Sequence, residues 1–292
     1  MKYDSLVTIG IPVYNCEQFI EQALKSVLAQ TYTNFELIIT DDGSTDNTVE
    51  EIKKFKDPRI KLIVDGKNRG ISYRLNQQIE MAKGEFFVRM DGDDLMFPDR
   101  VEKQINYLLE HPEIDVVGSS AVIIDDKNDI LGIRERVKKV ICINDLFLST
   151  RFMHPTVVGR TKWFKKWKYR EEFSGCEDFD LWIRSFENSC FADLKEPLMF
   201  YRDPLHFKLK TYIFRQFRII QCDWKLRHYM RGYRIFFYCV LKAILSSVIA
   251  YVLNIIRKDS IMIERRNQPI NNKSFYKDII TLILNFKEST FG

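Results

Sequence analysis

The sequence predicts an α/β fold, a mainly parallel sheet with helices on both faces, continued by a C-terminal helical segment of different character. Three observations lead there. From the start to about residue 125, short apolar runs rich in β-branched residues alternate with amphipathic stretches, the pattern of strand–helix–strand units. Polar and acidic clusters directly follow three of those runs, where open α/β sheets bind their ligands. Charge also divides the chain: residues 202–292 hold 17 Lys and Arg against 6 Asp and Glu, although the whole carries only +5.

Residues 6–13 read as a buried first strand. Residues 17–30 read as a helix, because Phe19, Ile20, Ala23, Leu24, Val27 and Leu28 fall on one face. A second strand is expected at 35–40, and a helix opens at Asp46, a good N-cap residue. Residues 60–64 form a third strand, 71–83 a helix and 85–90 a fourth strand, and Pro98 marks another helix start. After residue 131 the pattern becomes irregular until a helical stretch at 177–187.

Residues 235–256 are apolar apart from Lys242, Asn254 and a few Ser and Tyr, with Arg231 and Arg234 before them and Arg257 and Lys258 after. A bilayer span needs about 20 such residues. The segment therefore reads as a span, an interfacial anchor or a buried helix. Beyond it come Glu264-Arg265-Arg266 and a second apolar stretch at 279–286. These observations divide the chain into a catalytic unit, 1–205, and a basic, apolar membrane-associating region, 206–292. Basic residues interleaved with a long aliphatic run suit an anionic membrane surface and not a nucleic acid.

With 292 residues, 46% hydrophobic and 29% charged, the chain is long enough for a substantial core, and collagen-like, disordered and polytopic classes are excluded. Cys16, Cys142, Cys176, Cys190, Cys222 and Cys239 show no CxxC pair and no zinc-like spacing. Together with an N-terminus that enters a strand without a signal-like core, they predict a reducing, cytoplasmic setting.

The polar clusters carry the chemistry. Pro12-Val13-Tyr14-Asn15 with Glu17 follows the first strand, Asp41-Asp42-Gly43-Ser44 the second and Asp91-Gly92-Asp93-Asp94 the fourth. Carboxylates gathered on one edge repel each other and lose hydration unless a cation or a donor-rich ligand satisfies them. A divalent ion with a diphosphate supplies both, and Asp91-x-Asp93 provides the one or two hard oxygen ligands that Mg2+ or Mn2+ takes from protein.

In order and spacing these clusters resemble the family 2 inverting glycosyltransferases with a glycosyltransferase A-type fold. The likeness runs over about residues 5–200 and is carried by Val7-Thr8-Ile9-Gly10-Ile11-Pro12-Val13-Tyr14-Asn15, Asp41 to Asp46, Asn68-Arg69-Gly70, Asp91 to Asp94 and Glu177-Asp178. It implies a UDP-sugar donor: Pro12, Tyr14 and Glu17 around base and ribose, Asp42 with Asp41 on the uracil edge, Asn68 near the nucleotide and Arg74 at the diphosphate. Asp91 would meet the ribose and Asp93 the metal, Mn2+ or Mg2+. The resemblance further implies Asp178 as the base that deprotonates the acceptor hydroxyl, with Glu177 orienting the acceptor and His154 near the acceptor side. Structural alternatives stand beside these roles: a helix N-terminus favours Glu177, Asp178 and Asp180 in any case, and His154 equally suits a core position.

One departure limits the likeness. Arg215-Gln216-Phe217-Arg218 lacks the Gln-x-x-Arg-Trp element of processive members, so one sugar per encounter is expected. The implied setting is bacterial O-antigen or capsule assembly at the cytoplasmic face of the inner membrane, with UDP-galactose or UDP-glucose as donor and a lipid-diphosphate-linked sugar as acceptor. Competing readings are a non-lipid acceptor and an inactive binding protein. A nucleotidylyltransferase would need a Gly-rich, Arg-containing loop near its start, and dehydrogenases or phosphate-loop enzymes their Gly fingerprints; none is present.

Overall fold

The computed structural model describes residues 5–135, 140, 142–148, 152–203, 208–258, 261–262 and 266–286. Glu264 and Arg265 of the basic tail lie outside them. Strand β1 (Val7–Val13) leads through α1 (Ile20–Leu28) to β2 (Phe35–Asp41), then α2 (Thr48–Lys53), β3 (Ile60–Val64), α3 (Ile71–Met81) and β4 (Phe86–Arg89). There follow β5 (Leu95–Met96), α4 (Arg100–Glu110), β6 (Val116–Ile124), β7 (Ile130–Arg134), α5 (Ile143–Leu148), β8 (Val158–Arg160), α6 (Thr161–Trp167) and α7 (Glu177–Ser185). The chain continues through β9 (Phe191–Arg202), α8 (Leu209–Lys225), α9 (Tyr233–Ile255) and α10 (Lys273–Leu284).

Strands run in the order β3-β2-β1-β4-β8-β6-β9-β5, with β7 against β6. The expected parallel arrangement holds for β3, β2, β1 and β4 and for β6 with β9. Antiparallel pairs join β4 to β8, β8 to β6, β6 to β7 and β9 to β5, so the sheet as a whole is mixed. Because β1 has β2 on one side and β4 on the other, the chain direction of the connections reverses there, and a crevice opens at the strand ends. Register makes this concrete: Val13 pairs with Asp41, and Gly10 with Arg89, so the three polar clusters leave the same edge.

Alternation along β1 explains the two layers of core. Val7, Ile9, Ile11 and Val13 pack against α1 and α4, whose Ile20, Leu24, Val27, Val101, Ile105 and Leu108 are buried with them. On the other face Gly10 lets the Phe87 ring and Gln78 approach to where a Cβ would sit, 2.5–2.6 Å away. Leu75 and Ile79 of α3 join Trp163, Phe164, Phe179 and Trp182 in that second layer.

Helix α1 starts at residue 20 and not 17 because residues 17–19 are used differently. The Glu17 amide donates to Asp46 and the Glu17 carboxylate accepts from Asn47 N–H and Nδ2, which stitches the β1 turn to the start of α2. Asp46 accepts the Thr48 amide at 3.0 Å, but the cap of α2 is Asn47 and not Asp46, one residue later than expected. Cys176 and Cys222 are joined as a disulfide across 46 residues. Their spacing did not announce it. Among the described residues one helix, α9, is long and apolar enough to cross a membrane.

Candidate active site

The first wall of the crevice is built by backbone amides held on carboxylates. Asp41 accepts the amides of Gly43 and Ser44, and Asp42 accepts those of Arg69 (2.7 Å) and Gly70 (3.0 Å). Gly43 has φ +77°, and a Cβ there would stand 2.9 Å from the Asn68 amide, so the 67–68 segment lies directly on the turn. Asn15, itself at φ 49°, accepts the Thr45 amide and donates its own amide to the Ser44 hydroxyl. Pro12, Tyr14, Glu17, Asp41, Asp42 and Asn68 are thus gathered at the ends of β1 and β2. The Tyr14 ring, 51% exposed, stands open at the rim.

Arg74, for which the resemblance implies a diphosphate contact, has its guanidinium engaged by protein groups. It is wholly buried. Its Nε donates to Asp42 at 2.9 Å, and its terminal nitrogens donate to Asp65 (2.6 Å), the Lys67 carbonyl and Gln77. An arginine in the first turns of a helix meets whatever loop folds over it, and here Asp65 and the Lys67 carbonyl share the fork with Asp42 and Gln77. Arg74 therefore holds Asp42 and that loop in place.

The acidic turn after β4 is pinned from two sides. Arg89, buried at the end of β4, grips both oxygens of Asp91 at 2.7 and 2.8 Å. Arg202, at the end of β9, donates its amide to Asp94 and its Nε to the Asp93 carbonyl, with further bonds to the Asp125 carbonyl and Asn128. Burial, then the neighbouring Asp91 charge, pushes the Asp93 carboxyl up to about 6. Burial, then Asp93 and Asp91, pushes Asp94 well above the carboxylate range. Asp94 Oδ2 is buried with no hydrogen-bond partner among the described residues. Carboxylate oxygens of Asp91, Asp93 and Asp94 lie within 4.8 Å of one another. Three crowded carboxylates, all hard oxygen donors and one with a buried oxygen that has no partner among the described residues, fit a divalent ion of the magnesium or manganese kind.

Across from this turn lies the start of α7. Glu177 accepts the Gly175 amide at 2.6 Å, and burial followed by the Asp178 charge raises its carboxyl. Asp178 is partly exposed and accepts the Phe179 amide at 2.8 Å. Asp180 faces away from both: it is wholly buried and paired with Arg170 and Arg184. Asp91, Glu177 and Asp178 all act electrostatically on the buried Tyr169 hydroxyl, and Asp91 and Glu177 on Arg89, so both acidic groups border one centre. His154 Nε2 bonds the Tyr169 hydroxyl at 2.8 Å, and burial holds its imidazole well below the ordinary histidine range. His154 is thus a core residue that positions Tyr169.

Arg89, Tyr169 and Arg202 escaped the sequence reading. For Arg89 a signal existed: a charged residue closing the apolar run Phe86-Phe87-Val88, two residues before Asp91, must find a buried partner. Tyr169 and Arg202 reach the site only through tertiary packing.

The model of glycosyl transferase family 2 matches residues 8–167, which takes in β1 through α6. The Bacillus subtilis protein EpsE is 35% identical over 189 residues, 62% of this chain and 66% of its own length. The Escherichia coli UDP-Glc:alpha-D-GlcNAc-diphosphoundecaprenol beta-1,3-glucosyltransferase WfgD is 36% identical over 129 residues, 44% of this chain and 50% of its own. Among solved structures, the mannosyltransferase PcManGT from Pyrobaculum calidifontis, in complex with GDP-Man and Mn2+, superposes with a TM-score of 0.60 over 97% of this chain and 86% of that one. At 15% identity this last likeness speaks for the fold.

Proposed function

Starting from the fact that the chain belongs to glycosyl transferase family 2, we propose that it transfers one sugar from a UDP-sugar to a lipid-diphosphate-linked sugar, with inversion and with the help of a divalent metal. The observation that carries this reading is the pairing of a crowded, cation-demanding acidic turn with a partly exposed carboxylate, Asp178, at the start of α7, Asp91 and Asp178 both acting on the Tyr169 hydroxyl. WfgD, whose name gives a UDP-glucose donor and a diphosphoundecaprenol-linked acceptor, supports the substrate classes. PcManGT, bound to a nucleotide sugar and Mn2+, supports the metal.

In this mechanism Pro12, Tyr14 and Glu17 line the base and ribose pocket, and Asp42, held by Arg74, offers its remaining lone pairs to the uracil edge with Asp41 beneath it. Asn68 closes over the nucleotide. Asp91, oriented by Arg89, meets the ribose, and Asp93 holds the metal. When bound, the cation supplies positive charge for the departing diphosphate. Asp178 removes the proton from the acceptor hydroxyl as that oxygen attacks the anomeric carbon, while Glu177 orients the acceptor. In-line attack from the face opposite the diphosphate turns an α-linked donor into a β-linked product. Residues 1–205 form the catalytic unit, and 206–292 hold it on the cytoplasmic face of a bacterial inner membrane during O-antigen or capsule assembly.

The test is UDP release from a panel of UDP-sugars, UDP-galactose and UDP-glucose first, with Mn2+ or chelator and lipid-diphosphate-linked GlcNAc as acceptor. Acceptor-stimulated, metal-dependent turnover with one donor is expected. UDP binding without turnover on any lipid-linked acceptor would remove the acceptor class, and absence of UDP binding would remove the donor class.

A further inference from the structure

Helix α9 is built inside out. The side chains it turns towards the domain are small, with Cys239, Ala243 and Ala250 buried, while Phe237, Leu241, Leu245, Val248 and Val252 are about half exposed or more. A helix whose large apolar residues face outward needs a second apolar phase. Lys242, the single charge between Arg234 and Arg257, bends back to the Leu148 carbonyl at the end of α5 (3.0 Å).

Helix α8 continues the surface. Phe214, Phe217 and Trp224 are exposed along one side of it. Arg218 lies over the Phe214 ring and Arg227 over Trp224 at 4.0 Å. The Trp224 and Phe236 rings, 5.4 Å apart, join α8 to α9. Residues 208–258 carry eleven Lys and Arg and one acid, Asp223, which is buried, so the surface facing outward is uniformly basic.

Both flanks of α9 are tied to the catalytic unit. Before it, the Arg231 amide donates to Asn144, and within its second turn Cys239 meets the Phe147 carbonyl. After it, Gln268 pairs with Ile133 of β7 through two backbone bonds, and Ile280 and Ile283 of α10 pack with Leu95, Phe97 and Phe200. If α9 crossed the bilayer, residues 257–267 would have to cross back. They number too few for a helical span of about 20, and six of the eleven are charged.

We infer that α8 and α9 form one platform lying in the plane of an anionic phospholipid surface, outer faces sunk into the headgroup–acyl boundary, with no crossing. This rests on the reading of the chain as an enzyme with a lipid-borne acceptor, and it names the surface and its orientation. The disulfide from Cys222 on α8 to Cys176, the residue before Glu177, makes the platform continuous with the acceptor side of the site. A lipid-linked diphosphate then enters along the bilayer surface.

The experiment adds the full chain to sealed vesicles of phosphatidylcholine, with and without phosphatidylglycerol. Flotation with the anionic vesicles is expected, weakened on the order of tenfold or more in Phe217→Glu with Leu245→Glu. In a chain carrying Cys142→Ser and Cys190→Ser, Arg231→Cys and Arg257→Cys should both react with an impermeant maleimide added outside. Labelling of only one of the two positions means a crossing helix and overturns the proposal, as does flotation unaltered by the two glutamates. UDP affinity, measured in the same preparations, is expected to be unchanged by those substitutions. Loss of UDP binding in every preparation, with flotation intact, would sink the enzymatic reading and leave the platform standing.

Discussion

Arg74 and Asp42 form an ion pair at the end of β2, Nε to Oδ1 2.9 Å, with the arginine wholly buried. The same Asp42 receives the Arg69 and Gly70 amides, so one carboxylate ties α3, the 65–70 loop and the end of β2 together. Arg74→Met leaves that carboxylate uncompensated, and removing one partner of a buried pair costs about 3–5 kcal/mol. The expected result is a lower denaturation midpoint together with weaker UDP binding. Full stability with only the turnover lost would return Arg74 to the diphosphate.

A second prediction concerns the metal. The Asp93 carboxyl, pushed up to about 6 by burial and by Asp91, binds a proton where an ordinary carboxylate does not, and a cation must displace that proton. The sign follows: a raised folded value favours the fold at low pH, and this contribution is lost as pH rises through about 6. Without metal, ionised Asp93 is a liability at neutral pH. Mn2+ should therefore raise the melting temperature at pH 7.5 and do so far less at pH 5. Asp93→Asn should erase the Mn2+ increment while leaving the metal-free protein no less stable. A Mn2+ effect equal at both pH values would place the ion elsewhere.

A third prediction uses the core. His154 is held neutral by burial, its pKa well below that of an unfolded histidine. Its folded value is depressed, so the unfolded chain takes up a proton first as pH falls through about 6.5. Stability is fully present above that point and declines below it. His154→Gln, which can keep a bond to the Tyr169 hydroxyl, should flatten the decline between pH 6.5 and 5 in urea titrations. An unchanged slope would assign the acid sensitivity to other groups.

How far the fold could be read in advance follows from which forces act locally. β1, β2 and β3 are legible because each is a short apolar run rich in β-branched residues set between helical stretches, and the acidic turns because they directly follow such runs. β9 is not, since Asp193, Lys195, Glu196 and Pro197 interrupt it and it persists only through pairing with β6 and β5. β8, three residues long, exists because β4 and β6 flank it. The same divide runs through the site. Asp42, Asp91 and Asp93 carry their signal in the chain, whereas the burial of Arg74 depends on Asp65 and Lys67 folding over it. Arg202 reaches the acidic turn from 109 residues away.

The last prediction separates the two carboxylates at the start of α7. Glu177 is buried, anchored on the Gly175 amide and raised by burial and by Asp178, whereas Asp178 is partly exposed and is the one an acceptor hydroxyl can reach. General base catalysis contributes about 10²–10⁴-fold, so Asp178→Asn should lose turnover on that scale with UDP affinity intact. Glu177→Gln keeps the size and the uncharged form that burial favours. It should retain measurable turnover and raise the KM for the acceptor more than it lowers kcat. If instead Glu177→Gln abolishes turnover and Asp178→Asn is nearly silent, the base and the orienting residue exchange places. A start of α7 whose acids merely complement the helix N-terminus predicts neither pattern, only a small loss of stability from each change.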